Sequence, residues 1–201
     1  MTQLSSKLFA LGLIAASFSS FSANAGNTND YFLGFDLGAR ISGQMDTYDS
    51  EFGSNKQDLR ASLVYGVRGG AIVNNTHKFS IGYDHGRLIY EHNNPDDADI
   101  NTVFGKYDYI VPISKNLGWT IGGKLGYEMF SDNDGNYKEL NGIVVGAQTG
   151  LTYRLADDLS VGTEFSYLHH TREFEVNNEY GSASMKLDDE TLIMTNVEYH
   201  F

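Results

Sequence analysis

Residues 191–201 read Thr191-Leu192-Ile193-Met194-Thr195-Asn196-Val197-Glu198-Tyr199-His200-Phe201. Side chains alternate along a strand, so Thr191, Ile193, Thr195, Val197, Tyr199 and Phe201 share one face. Leu192, Met194, Asn196, Glu198 and His200 share the other. The first face is apolar and finishes on two aromatics. The second carries a carboxylate, an amide and an imidazole. Such a strand needs an apolar medium on one side and polar company on the other. A closed sheet in lipid supplies both, and it also pairs every backbone group.

Seven further segments repeat the pattern, with most of the apolar bulk at odd positions: 31–42, 58–72, 78–90, 100–112, 118–130, 140–154 and 159–170. The outward set runs from Tyr31, Leu33, Phe35, Leu37, Ala39 and Ile41 in the first to Leu159, Val161, Phe165 and Tyr167 in the last before the tail. In the second segment it begins at Leu59. A period of two over this length argues strands rather than helices. The third segment has a fault, because the odd face would place His85 and Arg87 outward. Two resolutions are open: a bulge near Gly86 that returns Leu88 and Tyr90 to the apolar face, or an Arg87 high enough to meet lipopolysaccharide phosphates.

The connections alternate in length. Residues 74–77, 114–117 and 156–158 are short turns, whereas 44–57, 92–99, 131–139 and 171–190 are longer. Short turns at one end and long loops at the other are the asymmetry of bacterial transmembrane barrels. Tyr31, Phe79, Tyr109, Trp119, Tyr153, Tyr199 and Phe201 mark an inner aromatic girdle, and Tyr90, Tyr127 and Tyr167 an outer one. A soluble barrel is the alternative, with its apolar face inward. The glycines at even positions, including Gly34, Gly66, Gly122 and Gly150, favour a polar interior, where they leave room for long charged side chains.

The first 25 residues are read separately. Lys7, the apolar run Leu8–Ala16 and Ala23-Asn24-Ala25 form a secretory signal peptide, expected to be cut after Ala25. The mature barrel would then be residues 26–201. The chain has 14 Lys+Arg against 26 Asp+Glu, a net charge of −12, and so should repel nucleic acid. It has no cysteine, which excludes disulfides and thiolate metal sites. Mean hydropathy is only −0.33, as expected when half of each strand faces a polar lumen.

Near the inner strand ends the inward position is held by Asp36, Arg68, Asp84, Lys106, Lys124, Gln148, Glu164 and Asn196, with Asp108 and Glu198 alongside. Charges in so narrow a lumen should pair. The ring either gates the barrel or plugs it, and the tight lumen of eight strands favours a plug.

The alternating segments, Leu125-Gly126-Tyr127 and the ending Tyr199-His200-Phe201 resemble the small bacterial outer-membrane β-barrel family typified by OmpA and OmpX, and the porin-like OMP barrel proteins. That resemblance implies an all-β, eight-stranded antiparallel up-and-down transmembrane barrel in the Gram-negative cell outer membrane. It implies outer-membrane lipid and lipopolysaccharide as surroundings. The alternating end Val197, Tyr199, Phe201 resembles the signal read by the barrel assembly machinery. OmpA relatives add a peptidoglycan-binding domain, so cell-wall anchoring is not expected of residues 26–201.

The outer loops gather acidity at Asp46, Asp49, Glu51, Asp96, Asp97, Asp99, Asp132, Asp134, Glu139, Glu173, Glu175, Glu179, Asp188, Asp189 and Glu190. They are the expected place for a surface ligand. Ser131–Asn136 begins like a calcium loop, but Glu139 comes too early for the full pattern. Some barrels of similar size act on lipid A through a histidine and a serine. Here His169 and His170 are followed by Thr171 and Arg172 where the deacylase pattern wants a serine, and Asp84-His85 has no evident serine partner. The expectation is a non-enzymatic protein without cofactor, serving envelope integrity or surface interaction. A lipid A-modifying enzyme and a narrow pore are the alternatives.

Overall fold

The computed structural model describes residues 29–50, 53–89, 98–131, 139–178 and 181–201. The expected signal peptide, Glu51, Tyr90, Asp96, Asp97, Asp132, Asp134 and Glu179 lie outside the described residues. Ten antiparallel strands form one sheet. They are β1 (Asn29–Asp49), β2 (Gly53–Asp58), β3 (Ser62–Val73), β4 (His77–Leu88), β5 (Ala98–Pro112), β6 (Leu117–Ser131), β7 (Gly142–Ala156), β8 (Leu159–His170), β9 (Glu173–Asn178) and β10 (Gly181–His200). The order is β2-β1-β3-β4-β5-β6-β7-β8-β10-β9, and pairing of β1 with β10 closes the barrel. No described helix is long and apolar enough to cross a membrane.

Eight strands build the wall. The other two correct the expectation of open loops over 44–57 and 171–190. β2 pairs with the outer part of β1, and β9 with the outer part of β10. Together these four strands continue the wall beyond the rim. At the inner end the turns are short. Asn74 and Asn75 both adopt positive φ, 55° and 57°. Asparagine tolerates that region, and paired positive φ values suit the twist of a tight hairpin.

The alternation holds along most of the wall. Leu33, Phe35, Leu63, Ile81, Val103, Leu125 and Ile193 face out, while the residues between them are buried or occluded. Glycine serves the interior at defined points. A Cβ on Gly66 would lie 2.2 Å from Asp84 Oδ1, and one on Gly122 would lie 2.5 Å from Asp108 Oδ1.

At the outer end the parity changes. Between Arg40↔Leu192 and Ser42↔Thr191, β1 advances two residues while β10 advances one. Between Gly43↔Glu190 and Met45↔Leu187, β10 advances three while β1 advances two. Each strand gains one residue, and a bulge re-aims everything beyond it. Met45 and Leu187 therefore turn inward, although both are odd-numbered. β4 carries no bulge near Gly86; its pairing with β5 is continuous from His77 to Leu88. Leu88 is accordingly inside and Arg87 outside. Leu59, expected to face lipid, is also buried, just before β3.

Apolar and polar layers alternate up the interior. Phe32, Ile72 and Ile110 close the inner end. Val64, Val144, Leu168, Leu192 and Met194 form a middle cluster. Met45, Leu59, Leu88, Ala98, Ile100, Phe130, Leu140 and Leu187 cap the outer mouth, with Phe174 and Met185 against them. β10 shows the sequence on one strand: Leu187 in the cap, Glu190 below it, Leu192 and Met194 in the middle, then Asn196 and Glu198.

Candidate functional site

The structure places all ten residues of the inward ring inside the barrel. Asp36, Arg68, Asp84, Lys106, Asp108, Lys124, Gln148, Asn196 and Glu198 are buried, and Glu164 is nearly so. Closure of the sheet brings their tips together from opposite walls. Glu198 receives Lys78 Nζ at 2.6 Å and Arg68 Nη2 at 2.8 Å. Ser160 Oγ adds a third donor to it at 3.3 Å. Arg68 Nη1 also reaches Asp36 and Glu164, each at 3.5 Å. Glu164 is paired with Lys106 and accepts from Ser166 Oγ at 3.0 Å. Lys124 Nζ donates to Asp84 at 2.8 Å, and Gln148 Nε2 to Asp108 at 2.6 Å. Phe104 lies among these cations, with Lys124 Nζ 4.3 Å from its ring centroid.

Lys78 was absent from the sequence-derived ring. It sits on the inward parity of β4, one residue beyond the turn, where a count of one residue per strand passes it by. A second polar layer was missed altogether. Arg40 pairs with Glu190, and its Nη1 donates to Ser62 Oγ at 3.3 Å and to the Arg87 carbonyl at 2.9 Å. His170 Nδ1 lies 2.9 Å from Glu128, and its Nε2 lies 3.6 Å from Glu190. Thr102 Oγ1 donates to Glu128 at 3.1 Å. Glu190 is thus not loop acidity but a buried wall residue, because the even-numbered inward parity of β10 continues from Glu198 up to Glu190, below the bulge. The void between the two layers, lined by Arg40, Asp84, Lys124, Glu128 and Glu190, measures about 10 Å³. That is at the lower limit for a single water molecule.

Among the described residues, two clusters bring chelating atoms within 4.8 Å of one another: Glu128–His170–Glu190, and His169–Asp188–Asp189. In the first, the two ring nitrogens address different carboxylates, and Arg40 already neutralises Glu190. The contacts are those of an ion-paired set, in which Glu128 Oε2 and His170 Nε2 make no hydrogen bond. In the second, Asp189 accepts from Tyr167 and is contacted by His169 Nδ1 at 2.6 Å at the exposed rim.

The alternative of a rim nucleophile at His169 or His170 finds no serine in reach. No serine hydroxyl is bonded to His169 or His170 among the described residues. A serine–histidine–carboxylate chain does occur at the inner end. Ser160 Oγ is 2.7 Å from His200 Nε2, and His200 Nδ1 is 3.0 Å from Asp30. Asp30 is further held by Arg154. Ser160 is only 3% exposed and also bonds Glu198, so a substrate carbonyl cannot reach it. The neighbouring backbone belongs to the ladder with β10, which leaves no free pair of donors for an oxyanion.

Residues 12–201 match the outer membrane protein β-barrel domain. The chain belongs to that family. No curated protein matches it. Among solved structures it is similar to Neisserial surface protein A, at 16% identity and a TM-score of 0.59, over 88% of this chain and 99% of that one. It is similar to the outer membrane protein OprG from Pseudomonas aeruginosa, at 11% identity and a TM-score of 0.62, over 90% and 98%. Outer membrane protein H from the same species gives 18% and 0.54, over 86% and 99%. At such identities the likeness concerns the fold. The family and these folds place the protein in the outer membrane. Its long connections are therefore the external ones, and its apolar belt meets lipid.

Proposed function

We propose that this is a non-enzymatic outer-membrane barrel with a sealed lumen, which contributes to envelope integrity and engages partners from its outer surface. The observation that carries the reading is the void of about 10 Å³ between the two charged layers. Among the described residues apolar clusters lie above and below those layers, which supports a plug rather than a solute path or a lumenal substrate site. What remains free to interact is the external extension of β1, β2, β9 and β10 and the acidic side chains near it, such as Asp46, Glu173 and Asp188.

Its partners in this reading are outer-membrane lipid and lipopolysaccharide, with the barrel assembly machinery engaging Val197, Tyr199 and Phe201 during insertion. All three are exposed at the inner end, Val197 and Tyr199 on the strand that closes the barrel and Phe201 directly after it. Signal cleavage after Ala25 belongs to the same route. Replacing the hairpin tip 175–184 with a short Gly/Ser turn, which keeps Leu187 and Glu190 in the wall, tests the assignment. Surface binding should change, and the heat-dependent gel shift of a folded barrel should survive. Unaltered surface behaviour in a folded variant would contradict it.

The alternative enzyme reading would rest on the Ser160–His200–Asp30 chain, whose serine is buried. A serine-directed fluorophosphonate should leave Ser160 unlabelled in the folded protein. Stoichiometric labelling that disappears in His200→Ala would establish the enzyme instead.

A further inference from the structure

The upper charged layer contains polar atoms that its own pairs do not satisfy. Glu128 on β6, His170 on β8 and Glu190 on β10 are 2%, 5% and 1% exposed, so each is cut off from bulk water. Among the described residues, Glu128 Oε2 and His170 Nε2 make no hydrogen bond. The imidazole lies close to both carboxylates and is aligned with neither. Its Nδ1 is 2.9 Å from Glu128 Oε2 but off the line that a hydrogen bond needs. Its Nε2 is 3.6 Å from Glu190 Oε1, too far for one. Arg40 Nε engages Glu190 Oε2, whereas Oε1 has only a long contact of 3.5 Å with Arg40 Nη2. Buried polar atoms are almost always paired, so these call for a shared partner.

The converging atoms are all acceptors, which makes that partner a cation. Ligand atoms from the three residues lie within 4.8 Å of one another. Two ligands about 2.1 Å from one ion and about 110–120° apart are about 3.4–3.6 Å from each other. The separation of 3.6 Å between His170 Nε2 and Glu190 Oε1 fits that span. The void of about 10 Å³ borders both Glu128 and Glu190. It barely holds one water, but an ion bound directly to side chains needs less room. The basic groups nearby are already engaged. Lys124 donates to Asp84, and Arg40 donates to Ser62 and the Arg87 carbonyl as well as to Glu190. Thr102 Oγ1 donates to Glu128 at 3.1 Å, the kind of outer contact that orients a ligating carboxylate.

We propose that Glu128, His170 and Glu190 form a buried zinc site. The ion takes His170 Nε2, Glu190 Oε1 and Glu128 Oε2. One imidazole with two carboxylates suits a small four-coordinate ion, whereas calcium prefers six or more oxygens. The ring binds as a neutral imidazole that keeps its Nδ1 proton, and any proton on Nε2 is released to solvent. The bound ion ties β6, β8 and β10 together just below the outer cap. Leu59 Cδ1 of the cap and Glu190 Cβ both border Gly43, so the cap lies directly against the site. The ion therefore enters before the mouth closes and leaves slowly afterwards. The site lies within the sealed lumen and is independent of any surface partner.

The test folds the full-length protein from urea into detergent with one equivalent of zinc sulfate. Gel filtration then removes free metal, and zinc per chain is measured. The parent should retain about one ion, and Glu128→Gln and His170→Gln about ten-fold less. His169→Asn disables the exposed His169–Asp188–Asp189 cluster and should retain zinc as the parent does. EDTA should strip the folded parent slowly and the urea-unfolded chain at once. Heat-dependent gel mobility reports whether each variant folds. X-ray absorption at the zinc edge needs only the parent, and should show one imidazole among oxygen ligands. A folded parent that retains no zinc, a zinc shell without imidazole, parent-like retention by folded His170→Gln, or loss of zinc in His169→Asn would each overturn the proposal.

Discussion

The lower charged layer is branched, whereas the upper one is a closed foursome. Below, Glu198 serves Lys78 and Arg68, Arg68 reaches on to Asp36 and Glu164, and Glu164 holds Lys106. Above, Arg40 and His170 face Glu128 and Glu190, and Arg40 ties the set to the wall through the Arg87 carbonyl. Both layers sit between apolar clusters. The difference shows two solutions to charge in a low-dielectric interior. A branched network shares each anion among cations from several strands. A compact set instead neutralises itself at the point where two bulges bend the wall.

The largest loss should come from the branch point. Glu198→Ala leaves Lys78 without its anion and should cost about 3–5 kcal/mol, read from the urea midpoint of the folded band in detergent. Pairing Lys78→Met with Glu198→Leu should cost clearly less than Glu198→Ala alone, because no buried charge is then left unmatched. If the double variant were the worse of the two, the network account would fail. Arg40→Met should come next, at about 3 kcal/mol, since Glu190 keeps only His170. Its loss should also increase hydrogen exchange at the outer ends of β1 and β10 while leaving β4 near Lys78 unchanged. Exchange rising equally at both levels would mean that the layers are not separate units.

The apolar cap gives a smaller effect. Leu187→Ala opens a cavity in the mouth and should cost about 2–3 kcal/mol. Leu63→Ala on the lipid face should cost less, because acyl chains fill the space. Smallest of all is the external pair Lys56–Asp46, at 2.8 Å and largely exposed. The hydrogen bond from Lys56 to Asp46 holds its ammonium above the ordinary value of 10.5. Any stabilisation from it is present below the unfolded lysine pKa and is lost as pH rises through the raised one. Lys56→Ala should leave the urea midpoint unchanged, and high salt should return the Lys56 titration towards 10.5.

What could be read from sequence follows the same division. The lower wall has an uninterrupted period of two, so the inward positions of Asp36, Arg68, Lys124 and Glu198 follow from parity alone. Their partners do not, because tilt and shear decide which tips meet across the lumen. The upper layer keeps the same even parity at Arg40, Glu128, His170 and Glu190, but an inward count confined to the inner strand ends does not reach it. Two extra residues, one near Ile41 and one beside Asp188 and Asp189, change the parity only above it. Nothing in local composition marks such a bulge. Met45 and Leu187 look outward by number, Leu59 shares their fate, and Glu190 looks like one more loop carboxylate. β9 was hidden because charges at Glu173 and Glu175 obscure its alternation.

The central claim is that the lumen is closed at rest. Single-channel recording of the folded, full-length protein in a planar bilayer tests it most directly. The layered interior predicts a flat baseline, with at most brief events of small amplitude, and no increase when the hairpin tip 175–184 is shortened. A large, steady conductance through the unmodified protein would contradict it.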